Sequence, residues 1–279
     1  MSAYTHLTVT IHDQIGIIKL NRPEVLNAWN DALLADMVAT FRELDQHPTT
    51  VFTVLTGEGR FFSAGADIRE GLPTPPAGAT PAQKKLFYMH RFSSHMELFR
   101  LMIDHRKVFV LALNGPAVGG GAAWFEGVAD IVLAAAGSYL QVPFNSLGLV
   151  PEFGAVRTFA QSMGVRRAND FLMFGRKCTV EEMEGGGLVN RVFPAEGFQA
   201  AVLGFLREQL EVNDGGSMIE TKRLQNQGLR GERIVSMFDA ASALAERFVH
   251  GAPMERFRKK TGQLAKASEA RRGKEKASL

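Results

Sequence analysis

Ser63-Ala64-Gly65-Ala66-Asp67 and Asn114-Gly115-Pro116-Ala117-Val118-Gly119-Gly120-Gly121 each follow a nearly continuous apolar run, Val51–Thr56 and Val108–Leu113. Such runs read as strands buried on both faces, the kind found in parallel sheets. The small residues after them let backbone approach a ligand closely. The second segment leads into a predicted helix over Ala122–Val128, and a helix start offers unpaired N–H groups and a positive dipole end. If the two segments converge, one N–H from each can hold a developing oxyanion. Each segment alone also reads as a tight turn.

Outward from these segments the chain alternates strand and helix. Leu7–His12 and Ile15–Leu20 read as two strands joined at Asp13-Gln14. Leu33, Leu34, Met37, Val38, Phe41 and Leu44 recur at helical spacing and predict a helix over 28–46. Residues 71–82 hold four prolines and two glycines and read as a flexible insertion. A long helix is expected over 83–105, a strand over Asp130–Ala135, and a capped helix start at Thr179-Val180-Glu181-Glu182. Leu188–Phe193 reads as a last short strand or extended segment, and the pattern is helical from about Phe198 onward. Alternation at this spacing implies parallel strands with crossover helices, hence the α/β class. The expected organisation is an α/β core over 1–195 and a helical region over 196–279. Gly119-Gly120-Gly121 does not fit the dinucleotide fingerprint Gly-x-Gly-x-x-Gly, and the chain carries no Gly-Lys-Ser/Thr phosphate loop.

Composition narrows the functional classes. A hydrophobic fraction of 46% in 279 residues suits a globular chain with a large core. No apolar stretch reaches membrane-spanning length, so no membrane partner is expected. The single cysteine, Cys178, excludes an internal disulfide. The seven histidines lack ligand spacing; His90 and His95 read as surface or packing residues, and no metal is expected. Nine Lys or Arg lie between Arg256 and the end, against two acids, Glu269 and Glu275. That tail suits a solvated helix end, a phosphate-bearing ligand or an acidic partner. It is weak support for nucleic acid, because no interleaved aromatics accompany it.

A third stretch, Ser146-Leu147-Gly148-Leu149-Val150-Pro151-Glu152-Phe153-Gly154, sets one carboxylate in an apolar, glycine-edged loop. Poor solvation raises a carboxyl pKa toward neutrality, where it can take and return a proton. Read locally, Glu152 is also compatible with an ordinary solvated loop glutamate.

Phe61–Glu70 together with Asn114–Gly121 resembles the crotonase, or enoyl-CoA hydratase/isomerase, superfamily. Asn21-Arg22-Pro23-Glu24-Val25-Leu26-Asn27-Ala28, Leu172–Glu182 and Gly187-Leu188-Val189-Asn190 resemble it too, so the match runs through residues 7–195. The resemblance implies a spiral of repeated ββα units with a helical C-terminal trimerisation region. It implies acyl-coenzyme A thioesters as ligands, with coenzyme A part of the substrate and no separate cofactor. The oxyanion N–H groups would be those of Ala66 and Gly120. Ala64, Gly65, Asp67, Ile68 and Arg69 would run along the CoA moiety, with Arg69 a candidate phosphate contact and Gly119 beside it.

The departures from the family pattern matter as much. Hydratases of this family carry two catalytic glutamates, at positions occupied here by Ala123 and Phe144. Glu152 stands one turn further on, as in the peroxisomal type of Δ3,Δ2-enoyl-CoA isomerase. This predicts a double-bond shift with Glu152 as sole base, walled by Phe144, Leu147, Leu149, Val150 and Phe153. Glu126 reads as a helix-face residue near a domain or subunit contact, with a displaced second acid as the alternative. Alternatives of function are dienoyl-CoA isomerisation, C–C hydrolysis, or a non-catalytic acyl-CoA- or RNA-binding member. A homotrimer or dimer of trimers and a peroxisomal location follow from the resemblance; the C-terminal Ala277-Ser278-Leu279 matches a peroxisomal address only loosely.

Overall fold

Residues 4–67 and 72–259 are described by a computed structural model of the chain. Strands β1 (Leu7–His12) and β2 (Ile15–Leu20) form the expected hairpin, Leu7 opposite Leu20 and His12 opposite Ile15. Asn30 caps α1 (Asp31–Asp45) by accepting the Leu33 N–H, and the stripe read from sequence is the face it buries. Strand β3 (Phe52–Gly57) then runs parallel to β2. Thr80 and Gln83 form a reciprocal capping box at the start of α2 (Pro81–Ile103), two residues before the helix the periodicity marked.

Strand β4 (Val108–Leu113) pairs parallel with β3, and every residue of both is buried. The chain continues through β5 (Ala117–Val118), α3 (Gly120–Ala123), β6 (Ile131–Ala135) and β7 (Tyr139–Gln141). Then come α4 (Ala155–Met163), α5 (Val165–Phe174), β8 (Lys177–Thr179), α6 (Val180–Gly186) and β9 (Arg191–Phe193). One sheet has the order β1-β2-β3-β4-β6-β9 and a smaller one β5-β7-β8. Strands β4 and β6 in the large sheet are each followed by one in the small sheet, β5 and β7, and then by helix. These are the ββα units that the resemblance implied. Helices α7 (Phe198–Val212) and α8 (Gly215–Val249) complete the helical C-terminal region, which is helical again over 252–259. Helix α8 lies along α2, so the C-terminal region closes over the same side of the core as the proline-rich insertion.

One sequence expectation is corrected and one is narrowed. The helix predicted over Ala122–Val128 is a single turn, Gly120–Ala123, followed by irregular turns through Val128. Gly127 sits so tightly under Thr158 that an added Cβ would lie 2.0 Å from it, and the chain must turn there to enter β6. Of the short strand or extended segment expected over Leu188–Phe193, Arg191–Phe193 is strand, and Leu188 and Val189 are buried in the turn after α6.

Candidate active site

The two glycine segments meet. Phe62 and Val118 N–H groups donate to the Pro116 and Ser63 carbonyls, stitching the segments together in parallel register. A Cβ built on Gly65 would lie 2.7 Å from the Val118 carbonyl oxygen and 3.5 Å from the Gly120 nitrogen. Gly65 also has φ +88°, a conformation open to glycine and costly to other residues. Ala66 bridges to Trp29 through its neighbours: Trp29 donates to Gly65 O, and Asp67 donates to Trp29 O. This leaves the Ala66 and Gly120 N–H groups with no backbone carbonyl partner among the described residues. Both residues line one cavity of about 820 Å³.

The same cavity receives Glu152. Phe153 (φ 45°) and Gly154 (φ 88°) are both left-handed, which swings the chain from the Pro151 loop into α4. For a phenylalanine this conformation costs about 1–3 kcal/mol. The Phe153 ring offsets it by burial in an aromatic cluster, 5.2 Å from Phe99 and stacked on His95 at 5.7 Å, ring centroid to centroid. Glu152 is half-buried, its carboxyl walled by apolar and aromatic side chains on the cavity side. Burial pushes the carboxyl up to about 7, against a smaller lowering by the Trp124 indole, whose Nε1–H donates to Oε2 at 2.7 Å. A carboxyl group in this range can be ionised before a reaction and protonated within it at neutral pH.

The structure brings together most of the residues singled out from sequence. Ala64, Gly65, Ala66, Asp67, Gly119, Gly120, Phe144, Leu147, Leu149, Glu152 and Phe153 all line the cavity. Val150 packs against the core but does not line it. Ile68 and Arg69 lie outside the described residues. Asp67 is held by Arg22 of the Asn-Arg-Pro stretch, Nη2 to Oδ2 at 3.2 Å, so it belongs to the loop's scaffold. Ser63 is buried, donates to the Asn27 carbonyl and accepts the Gly65 N–H, so its hydroxyl is engaged by backbone.

Sequence reasoning missed Trp29 and misread His95. His95 was read as surface or packing; it lines the cavity from α2, and burial pushes its imidazole down to about 4, so it is neutral at pH 7. The hydrogen bond from Trp124 to Glu152 is not legible in the sequence, because the partners lie 28 residues apart. Trp29, 5.0 Å from Trp124, was not singled out at all. Leu72, Pro73 and Phe92 place the insertion and α2 along the cavity wall.

Glu126 is buried but does not line the cavity. Burial pushes its carboxyl up to about 8, with Ser162 and Arg233 pulling the other way, and its Oε2 has no hydrogen-bond partner among the described residues. An acid whose folded pKa is raised contributes stability that is complete below its unfolded value, here 4.5, and is lost as pH rises through about 8. The thermal midpoint is therefore expected to fall between these pH values, and Glu126→Gln to flatten that decline. Glu152 shares the sign, so some slope remains. Equal slopes in thermal unfolding of both proteins would count against the assignment.

Comparison with known proteins identifies the family. The family model described as enoyl-CoA hydratase/isomerase matches residues 10–253. The chain is 33% identical over 192 residues to a Δ(3,5)-Δ(2,4)-dienoyl-CoA isomerase of Pyricularia oryzae, covering 67% of this chain and 68% of that one. It is 32% identical over 201 residues to human enoyl-CoA delta isomerase 2, covering 72% of this chain and 49% of the human protein. A crystal structure of an enoyl-CoA hydratase/isomerase from Pseudoalteromonas atlantica superposes with a TM-score of 0.81 at 25% identity, over 93% of this chain and 98% of that one. With two glycine loops joined as one wall and the family model matched along nearly its whole length, the chain belongs to the enoyl-CoA hydratase/isomerase family, the crotonase superfamily.

Proposed function

We propose that the protein shifts the double bond of a 3-enoyl-CoA to give the 2-trans-enoyl-CoA. The observation that carries this reading is Glu152, a carboxyl group pushed up to about 7 in the same cavity as the Ala66 and Gly120 N–H groups, which have no backbone carbonyl partner among the described residues. Glu152 removes a proton from C2, and the electrons move into a dienolate whose oxygen accepts from the two N–H groups. The protonated Glu152 then returns the proton at C4. One such donor contributes about 3–4 kcal/mol to the barrier. Coenzyme A is part of the substrate, and the scheme uses no further cofactor.

Hydration needs a positioned water and two groups to move its protons. Ala123 and Phe144, 2% and 5% exposed, supply neither. The dienoyl reaction, named for the Pyricularia relative, is the second reading. In the family pattern it uses a second carboxylate at the position of Phe144. Purified protein mixed with a 3-enoyl-CoA should build up the ultraviolet absorbance of the conjugated 2-enoyl thioester, with no hydroxyacyl-CoA product. Accumulation of hydroxyacyl-CoA, or no conversion, would sink the reading.

A homotrimer or dimer of trimers is part of the same proposal; exposed Val235 and Phe238 on α8 and Val156 on α4 offer an apolar face for it. Peroxisomal residence is proposed on the resemblance, since Ala277-Ser278-Leu279 matches a peroxisomal address only loosely. Among the described residues no helix is long and apolar enough to cross a membrane, and no cluster of His, Cys, Asp or Glu is arranged to hold a metal.

A further inference from the structure

Trp124 touches both halves of the proposed chemistry. Its Nε1–H donates to Glu152 Oε2 at 2.7 Å. Its indole also covers Gly120: a Cβ built there would lie 2.7 Å from Cε2, 2.8 Å from Cζ2 and 3.0 Å from Nε1 of the indole. The Trp124 backbone N–H donates to the Gly120 carbonyl, which ties the two residues within one turn. The indole is itself fixed, 3% exposed, with the ring centroids of Trp29 at 5.0 Å, His95 at 5.1 Å and Phe153 at 5.8 Å. A ring so enclosed has little freedom to follow a moving carboxylate, so the carboxylate is held to the ring.

We propose that Trp124 is a positioning residue that reserves Oε2 of Glu152 as a fixed acceptor, confines the travelling proton to Oε1, and sets that oxygen's distance from the oxyanion nitrogen of Gly120. The inference rests on the reading of Glu152 as the base. An indole N–H is a donor only, so it bonds well to Oε2 as a carboxylate oxygen or as the carbonyl oxygen of the acid, whereas a protonated Oε2 is a much weaker acceptor and is disfavoured. The bond therefore survives both protonation states, and the proton taken from C2 is bound at Oε1 and leaves from Oε1. The hydrogen bond also favours the ionised carboxyl, which works against the apolar walls and keeps the base available near neutrality. His95 from α2 is the titratable group packed on this cluster; it is neutral at pH 7. Glu126, on the same segment as Trp124, does not line the cavity.

The test replaces Trp124 with 3-benzothienylalanine, which keeps the two-ring outline and lacks the N–H; Trp124→Phe is the encoded companion. Loss of a hydrogen bond to a charged group should move the acid limb of the kcat/KM–pH profile up by about one unit and lower plateau kcat about tenfold. KM should stay within about threefold, because the ring surface remains. In parallel, the Glu152 carboxyl is titrated by 13C NMR of glutamate-labelled protein, with Glu152→Gln identifying its resonance. An upward shift of that titration in the benzothienyl protein supports the inference whatever reaction the enzyme runs. An unmoved titration with unchanged kcat overturns it. A shifted titration in an enzyme that never converts 3-enoyl-CoA leaves the positioning role standing and removes the isomerase reading.

Discussion

Glu152→Gln is expected to lower turnover of a 3-enoyl-CoA by about 10²–10⁴-fold, the usual contribution of a positioned base. The substitution keeps the side chain's shape, and its amide oxygen can still accept the Trp124 N–H, so folding and CoA binding should be retained. A normal melting curve with KM little changed would separate lost chemistry from lost structure. The wild-type kcat/KM should rise with pH through about 7, because the base works only when ionised and its carboxyl sits there. The variant's residual activity should lack that limb. Near-native turnover by the glutamine variant would remove Glu152 from the chemistry.

Gly65→Ala is the second large effect. The new methyl would press on the Val118 carbonyl at 2.7 Å, a backbone atom that cannot swing aside, at a residue whose φ of +88° already excludes comfortable alanine geometry. Relief requires the Ala66 loop and the Gly119–Gly120 turn to separate, and these carry the two N–H groups. Loss of one oxyanion donor costs about 10²–10³-fold in kcat, and that is the expected fall in steady-state assays. Preserved turnover in a folded Gly65→Ala protein would mean that the two N–H groups do not act together.

The chain's architecture was readable where burial alone decides structure. The runs Val51–Thr56 and Val108–Leu113 announced interior strands, and both became β3 and β4 with no exposed residue. The stripe Leu33 to Leu44 announced α1 for the same reason: one buried face imposes its period. The helix after Gly121 was overcalled because sequence period does not report the wedge of Gly127 under Thr158, a contact across 31 residues. The site was half legible. Glycines mark where backbone must approach backbone, so Gly65 and Gly120 could be found. The aromatic wall could not: Trp29, His95 and Trp124 come from three separate segments, and none alone announces a cavity. Asp67 illustrates the same limit, since its Arg22 partner lies 45 residues away.

A pocket built this way uses its apolar surface twice. The aromatic cluster around Phe153 and Trp124 fixes the loop that carries Glu152, and the same rings desolvate its carboxyl. In the proposed reaction, with no carboxylate at Ala123 or Phe144, Glu152 would serve both carbons.

The most direct measurement follows a single hydrogen. A 3-enoyl-CoA carrying deuterium at C2 is turned over once by excess enzyme in ordinary water, and the 2-enoyl product is examined by mass spectrometry and NMR. Transfer by one enclosed monoprotic carboxyl predicts deuterium at C4 in a substantial share of the product. Product whose C4 hydrogen comes entirely from water, with all C2 deuterium released to solvent, would contradict a one-glutamate shuttle.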